Sequence, residues 1–286
     1  MKISVITPVF NAASTIEKTI LSVINQPINS DLEYIIVDGG STDGTQEVVN
    51  RYSDQISLFI SEKDRGVYDA MNKGVDRATG DIVGIINADD WYNEGALKIV
   101  EDAFSQESSI DILYSPIENY LQGQHFNTFV PGALENLYIK FVLNHPSCFV
   151  KKDVYTAIGK FNLKYAIAAD YDFILRAYVS GFKFSYTETP LASYSLDGMS
   201  GLGASLSIKL KQLNESRAIS TANILKAKKT STLSQQRKFY TLSFAKLLMT
   251  FPLKQLGLIT PTRTNKIKQF YRKNFGKLAA DKYGSW

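Results

Sequence analysis

Two adjacent carboxylates, Asp89 and Asp90, close an apolar run and are followed at once by Trp91. Side-by-side acids repel one another unless a cation or a hydrogen-bond network compensates. The run before them, 82–86, reads as a buried strand. The pair therefore sits at a strand's carboxyl end and faces the crevice where open α/β sheets bind ligands. Asn87 and Ala88 lead into it, and Asn87 adds a neutral oxygen. The plainer reading is two solvated acids opening the next helix, where negative charge is favourable. Asp38 ends a second apolar run, 33–37, and passes into Gly39-Gly40, either as a turn cap or as another crevice acid. Asp170 opens an amphipathic helix running to Val179 and reads either as its cap or as a third acid available for chemistry.

These acids must be positioned by strands and helices that the hydrophobic period makes visible. Strands are expected at 2–7, 33–37, 56–60, 82–86 and 110–114, with helical patterns between the first several. Ser14 and Glu17 have capping-box spacing ahead of an Ile16, Ile20, Ile24 stripe. Further helices are expected from Thr42–Thr45, from Tyr68, and over Asn93–Phe104. Strand–helix alternation at this spacing predicts an α/β fold with a largely parallel sheet covered on both faces. Beyond 115 the pattern changes. A short strand is expected over Gln122–Phe129, a helix over Lys152–Ile158 closed by Gly159, and a returning strand over Phe182–Tyr186. From Leu202 onward only helices are expected, near Leu206–Leu213, Gln235–Phe251 and Ile267–Leu278, with Pro252 and Pro261 as breaks.

Four segments come in a recognisable order and spacing: Thr7-Pro8-Val9-Phe10-Asn11, Val37 through Thr45, Gly80-Asp81 leading to Asn87-Ala88-Asp89-Asp90, and Ala168-Ala169-Asp170-Tyr171-Asp172. In them the chain resembles the family 2 glycosyltransferases over residues 1–200. The resemblance implies a GT-A fold, with a nucleotide-sugar half over 1–115, an acceptor half over 116–200, and a basic helical region over 201–286. It implies that Asp38 holds the base or ribose of the donor while Pro8, Val9 and Asn11 frame the base. Arg65 and Tyr68 are then candidates for phosphate or ribose contacts, with plain surface roles as the alternative, and Asp64 and Asp69 stand near them. His145 is either a structural histidine or a contact to the donor diphosphate or acceptor. Asp89 would be the main ligand of Mn²⁺ or Mg²⁺, ions that take few protein ligands plus substrate phosphates. The family's Asp-x-Asp is here Asn87-Ala88-Asp89. Asp170 would be the general base of an inverting transfer, although the family's Glu-Asp pair reads Ala169-Asp170. Asp172 and Arg176 either orient that site or form a surface pair. The implied partners are a nucleotide-diphosphate sugar, UDP-linked in the first instance, and a glycan or lipid-linked acceptor. The setting is bacterial capsule, exopolysaccharide or lipopolysaccharide synthesis on the cytoplasmic face of the inner membrane.

Composition agrees with an ordinary globular chain of 286 residues, 44% apolar and 21% charged. The single cysteine, Cys148, excludes an internal disulfide and fits a reducing compartment. MKISVITPVF is too short and too strand-like for a secretory signal, and no run approaches a membrane span. No G-x-G-x-x-G follows the first strand and no phosphate-binding Walker loop is present. A nucleotidyltransferase, the nearest enzymatic alternative, lacks its basic glycine-rich loop here.

The charge is unevenly divided. Residues 1–200 hold 15 Lys and Arg against 26 Asp and Glu, a net of −11; residues 201–286 hold 17 against 2, a net of +15. Leu242–Leu253 is apolar among cations, which suits an anionic membrane interface; packing on the catalytic domain or in a homodimer is the alternative. A non-catalytic nucleic-acid binder is the remaining reading, but the tail carries no recognisable nucleic-acid module.

Overall fold

The computed structural model describes residues 1–197, 204–256 and 258–260. The chain opens with β1 (Lys2–Val9), α1 (Ile16–Ile24), β2 (Asp31–Asp38), α2 (Thr45–Asn50), β3 (Leu58–Ser61) and α3 (Val67–Arg77). It continues through β4 (Ile82–Ile85), β5 (Trp91–Tyr92), α4 (Ala96–Gln106), β6 (Ile112–Tyr114), β7 (Ile117–Leu121) and β8 (Gln124–Phe129). Then come β9 (Cys148–Lys151), α5 (Lys152–Ile158), α6 (Ala169–Val179), β10 (Phe184–Tyr186) and β11 (Ala192–Ser195). Two long helices follow, α7 (Leu206–Lys226) and α8 (Leu233–Gln255).

Seven strands form the central sheet in the order β10-β6-β9-β4-β1-β2-β3. All pairs are parallel except those of β9, which runs antiparallel to β4 and β6. The alternation of each strand divides its side chains between two cores. Ile6, Ile35, Val37, Val83 and Ile85 face α3, α5 and α6, while Ile3, Val5, Tyr34, Ile36 and Ile82 face α1, α2 and α4. β1 is parallel to both β2 and β4, so all three end at one edge of the sheet. That edge carries Asp38 and the 87–90 turn.

A second sheet, β5-β11-β7-β8, is built from short strands that the hydrophobic pattern does not mark, apart from β8. β5 is two residues long and exists because Trp91 and Tyr92 pair with Ser193 and Ala192. Partners about a hundred residues away leave no local signal. The capping box does not form either. Ile16 N and Thr15 N both bond to the Ala12 carbonyl at 3.0 Å, and Glu17 instead accepts from the Tyr52 hydroxyl at 2.9 Å and pairs with Arg51. Pro252 does not break α8; it lies at an exposed position in the last turn, and the helix continues to Gln255. The helix expected at Ile267–Leu278 lies outside the described residues.

At the amino end of the sheet Glu33 is buried inside a ring of donors: Ser4 Oγ at 2.5 Å, Thr79 N at 2.7 Å, Thr79 Oγ1 at 2.6 Å and Lys2 Nζ at 3.0 Å. Burial pushes its acid upward, but these donors outweigh it and bring the pKa down to about 2. The folded state therefore favours the carboxylate more than the unfolded chain does. That stabilisation is complete above the ordinary value of 4.5 and is lost as pH falls toward 2. Glu33→Gln is expected to lose about 1–3 kcal/mol at pH 7, read as the urea midpoint. The gap to wild type should narrow at pH 3; an equal gap at both pH values would show that the charge is immaterial.

Candidate active site

Asp38 is fully buried at the end of β2. Its carboxylate accepts from Ser41 N at 3.1 Å, from the Ser41 hydroxyl and from Ser61 Oγ at 2.7 Å. It thus holds the Gly39–Ser41 turn. Pro8 and Val9 are buried in β1, while Asn11 stands exposed at φ 49° and accepts from Thr42 N at 3.0 Å. Between them Phe10 is 62% exposed. A Cβ at Gly39 would lie 2.5 Å from Asp64 Oδ2 and 3.3 Å from the Phe10 ring. Glycine at this position lets the Asp64 carboxylate and the Phe10 ring come close over the turn. The sequence placed Phe10 within a framing segment without singling it out; its signal is a large aromatic directly after a strand end.

Arg65 is mostly exposed and donates to Asp69 Oδ1 at 3.1 Å. Tyr68 turns the other way. It is buried, and its hydroxyl lies 3.0 Å from Asp170 Oδ1 and 2.9 Å from the Ile167 carbonyl. Asp170 is the second residue of α6, not its cap; the cap position is Ala168, which has no side-chain acceptor. Its other oxygen lies 3.6 Å from His145 Nδ1. His145 Nε2 is buried without a hydrogen-bond partner. Asp170, Tyr68 and His145 are thereby assembled from α6, α3 and the turn before β9. Asp172 and Arg176 are not part of this group. Arg176 binds Asp172 at 2.8 Å and the carbonyls of Ile158 and Lys160, which fixes α6 to the end of α5.

The 87–90 turn holds the acidic pair. Asp90 is fully enclosed: Oδ1 accepts from Ser195 N at 2.9 Å and Oδ2 from Asn87 Nδ2 at 3.1 Å. Burial first, and the Asp89 charge second, push its acid well above the usual range. Asp89 is also raised by burial, with the charge of His145 acting against that rise. Ala88 is buried between Asn87 and Asp89. Asn87 Oδ1 has no partner in the protein, an expensive state for a buried oxygen. Among the described residues no three His, Cys, Asp or Glu side chains converge on a common point. What remains is the Asp89 carboxylate with the orphaned amide oxygen of Asn87. This hard-oxygen set fits Mg²⁺ or Mn²⁺ that completes its shell with phosphate and water.

A mostly parallel sheet with acids at its carboxyl edge is the architecture of the GT-A glycosyltransferases, and solved members align with this chain. The chain belongs to glycosyl transferase family 2, whose family model matches residues 4–154. It is 30% identical over 197 residues, 67% of this chain and 76% of the relative, to a PGL/p-HBAD biosynthesis glycosyltransferase of Mycobacterium bovis. It is 33% identical over 210 residues, 68% and 69% respectively, to the amylovoran biosynthesis glycosyltransferase AmsB of Erwinia amylovora. Among solved structures, S. aureus TarS 1-349 in complex with UDP-GlcNAc aligns with a TM-score of 0.64 at 21% identity, covering 79% of this chain and 67% of that one. The Pyrobaculum calidifontis mannosyltransferase PcManGT, in complex with GDP-Man and Mn²⁺, aligns at 0.62 and 18%, covering 94% and 84%. Family membership removes the nucleotidyltransferase and non-catalytic alternatives.

Because the folded state binds the Asp90 proton more tightly than the unfolded chain, ionised Asp90 destabilises the fold. The penalty is absent below the ordinary value of 3.8 and grows as pH rises toward the raised folded value. Asp90→Asn keeps the acceptor for Ser195 N, and the Asn87 amide can turn its free oxygen to meet the new NH₂. In EDTA this variant is expected to melt about 2–4 °C above wild type at pH 7.5, the shift that ~1 kcal/mol produces in a chain of this size. The gain should shrink at pH 5. A lower Tm at both pH values would show that the hydrogen bonds outweigh the charge.

Proposed function

We propose that this enzyme transfers one sugar from a nucleoside-diphosphate sugar, with UDP as the nucleotide, to a hydroxyl of a glycan or lipid-linked glycan, inverting the anomeric centre. The observation that carries the reading is the Asp170 carboxylate, held by Tyr68 and facing His145 on the crevice edge that also carries Asp89. In this reading the acceptor oxygen attacks the anomeric carbon while its proton passes to Asp170. The bond from that carbon to the phosphate oxygen breaks, and the nucleoside diphosphate leaves with the electron pair. One displacement with one base inverts configuration. Asp89 and Asn87 would hold Mn²⁺ or Mg²⁺, which when bound supplies charge neutralisation to the leaving diphosphate. The UDP-GlcNAc and GDP-Man complexes of the two structural relatives support a nucleotide-sugar donor, and the biosynthetic names of the sequence relatives support a place in bacterial surface-glycan assembly.

The test is a panel of UDP-glucose, UDP-galactose, UDP-GlcNAc and GDP-mannose with lipid-linked acceptors, read by product mass and by nucleotide release. Asp170→Asn should keep UDP affinity and lose at least ~10² in rate, the low end for a general base. EDTA should suppress wild-type turnover and Mn²⁺ restore it. Near-normal turnover by the variant, or a product with retained configuration, would overturn the reading.

The location we propose is the cytoplasmic face of the bacterial inner membrane, bound through α8. One side of this helix packs inward through Gln236 and Tyr240, which are buried. Gln236 Nε2 donates to Thr221 Oγ1 of α7 at 2.9 Å. The opposite side carries Leu242, Met249, Leu253 and Leu256 at helical spacing; Leu242 is 56%, Met249 66% and Leu256 72% exposed. Lys238, Lys246 and Lys254 lie along the same helix. Among the described residues no helix is long and apolar enough to cross a membrane, so the stripe suits a position in the interface plane. The cations Arg263, Lys266 and Lys268 and the aromatics Phe270, Tyr271 and Phe275 fall outside the described residues. Co-sedimentation with phosphatidylglycerol vesicles should be strong and salt-sensitive, and Leu242→Ser with Met249→Ser should abolish it without lowering Tm. Unchanged sedimentation, or a soluble dimer that the same changes dissociate, would leave the stripe as a protein interface.

A further inference from the structure

The region from 201 onward holds 17 Lys and Arg and two acids, Glu215 and Asp281. Glu215, on α7, is turned toward the catalytic domain. Its Oε1 accepts from Ala166 N at 3.1 Å, and its Oε2 from Ile167 N at 2.9 Å and Ala168 N at 3.1 Å. These three consecutive amides lead into α6, two residues ahead of Asp170. A carboxylate receiving three backbone N–H groups is a strong, charge-assisted contact.

The same short segment is held from its other side. Tyr68 reaches both the Ile167 carbonyl and Asp170. The segment is therefore clamped by its amides to α7 and by its carbonyl to α3. Its cap residue, Ala168, has no side chain able to accept these amides. Without Glu215 these amides would lose the acceptor that fixes them. Asp170 follows two residues later, and its Oδ1 accepts from the amide of the next residue, Tyr171, at 2.8 Å. A shift of that approach would move the start of α6, and Asp170 with it, relative to an incoming hydroxyl.

The remainder of α7 is anchored firmly enough to make the contact a fixed one. Ile219 and Ile224 are fully buried in the core shared with α6. Ser220 Oγ donates to the Tyr138 carbonyl at 2.5 Å, and Asn223 is buried beside it. Glu215 thus projects from a docked helix onto the approach to α6.

We propose that Glu215 is a positioning residue for the base: the C-terminal helical region completes the catalytic centre by occupying the three amides before α6 and so fixing where Asp170 stands toward the acceptor. The inference rests on the reading of Asp170 as general base.

The experiment uses the full chain and compares Glu215→Ala, Glu215→Gln and Asp170→Asn. Turnover is followed as nucleotide release across the four donors above, binding as the Kd for UDP and for GDP with Mn²⁺ by calorimetry, and folding as Tm. Glu215→Ala is expected to lower kcat by about 10- to 100-fold, the scale of a misplaced catalytic group, with nucleotide Kd within about twofold of wild type. Glu215→Gln, whose amide oxygen can still accept, should recover part of the loss. If Glu215→Ala fails to fold, Glu215→Asp, whose shorter carboxylate cannot reach all three amides, should give the same loss in kcat at unchanged Kd. A lowered Tm with wild-type kcat would reduce Glu215 to a structural contact and overturn the proposal. So would equal losses in kcat and nucleotide affinity. Near-normal turnover in Asp170→Asn would instead defeat the reading of the base. An inactive Asp170→Asn beside a fully active Glu215→Gln and Glu215→Ala would defeat this inference alone.

Discussion

A carboxylate enclosed in protein must be neutralised, paired or surrounded by donors, and the crevice edge is organised around how Asp90 meets that demand. Its two oxygens take a backbone amide from β11 and a side-chain amide from Asn87, and its carbonyl takes the Thr19 hydroxyl from α1 at 2.6 Å. One residue thereby joins the central sheet, the small sheet and the first helix at the point where Asp89 is presented. Glu33, at the far end of the same sheet, meets the same demand with a surplus of donors and is held ionised. Asp90 has fewer and carries the charge of Asp89 beside it. The sheet is comfortable at its amino end and electrostatically loaded at its carboxyl end, which is where a polyanionic substrate and its counter-ion would be met.

That loading separates two kinds of acid. Asp38 is saturated with hydroxyl and amide donors, so it fixes the backbone of a turn over which Gly39, Phe10 and Asp64 come together. Asp170 takes both Tyr68 Oη and Tyr171 N on Oδ1 and has Oδ2 at 3.6 Å from His145 Nδ1, and Asp89 stands in the same turn as the orphaned Asn87 oxygen. The first shapes the crevice, and the others are the acids to which the proposed reaction assigns its metal and its base. A sequence shows only three aspartates after apolar runs; the difference lies in which hydroxyls the fold brings to each.

Much of the architecture was legible because its elements carry their own period. β1, β2, β4, α5 and α6 each announce themselves through a strand alternation, a cap glycine or an amphipathic stripe. What was not legible depends on distant partners. Tyr68 and Asp170 meet across 102 positions, β5 is defined by residues of β11, and Glu17 left its expected capping role because Tyr52 and Arg51 lie within reach. Tyr68 read as a donor contact because it follows Arg65 in a polar loop; its burial turns it inward. Glu215 had no signal beyond being an acid in a basic stretch. α8 read as one apolar run because it is apolar on two opposite sides, one packed and one bare.

The reach of Glu215 back to residues 166–168 also sets an order of assembly. A ribosome delivers the chain from its amino end, and domains fold as they emerge. The family-matched segment, 4–154, leaves first and can form the sheet that would receive the nucleotide. The approach to α6 acquires its amide partner only when α7 has been made, some fifty residues later along the chain. A chain grown only through residue 154 therefore lacks both α6 and the α7 carboxylate that holds the approach to it.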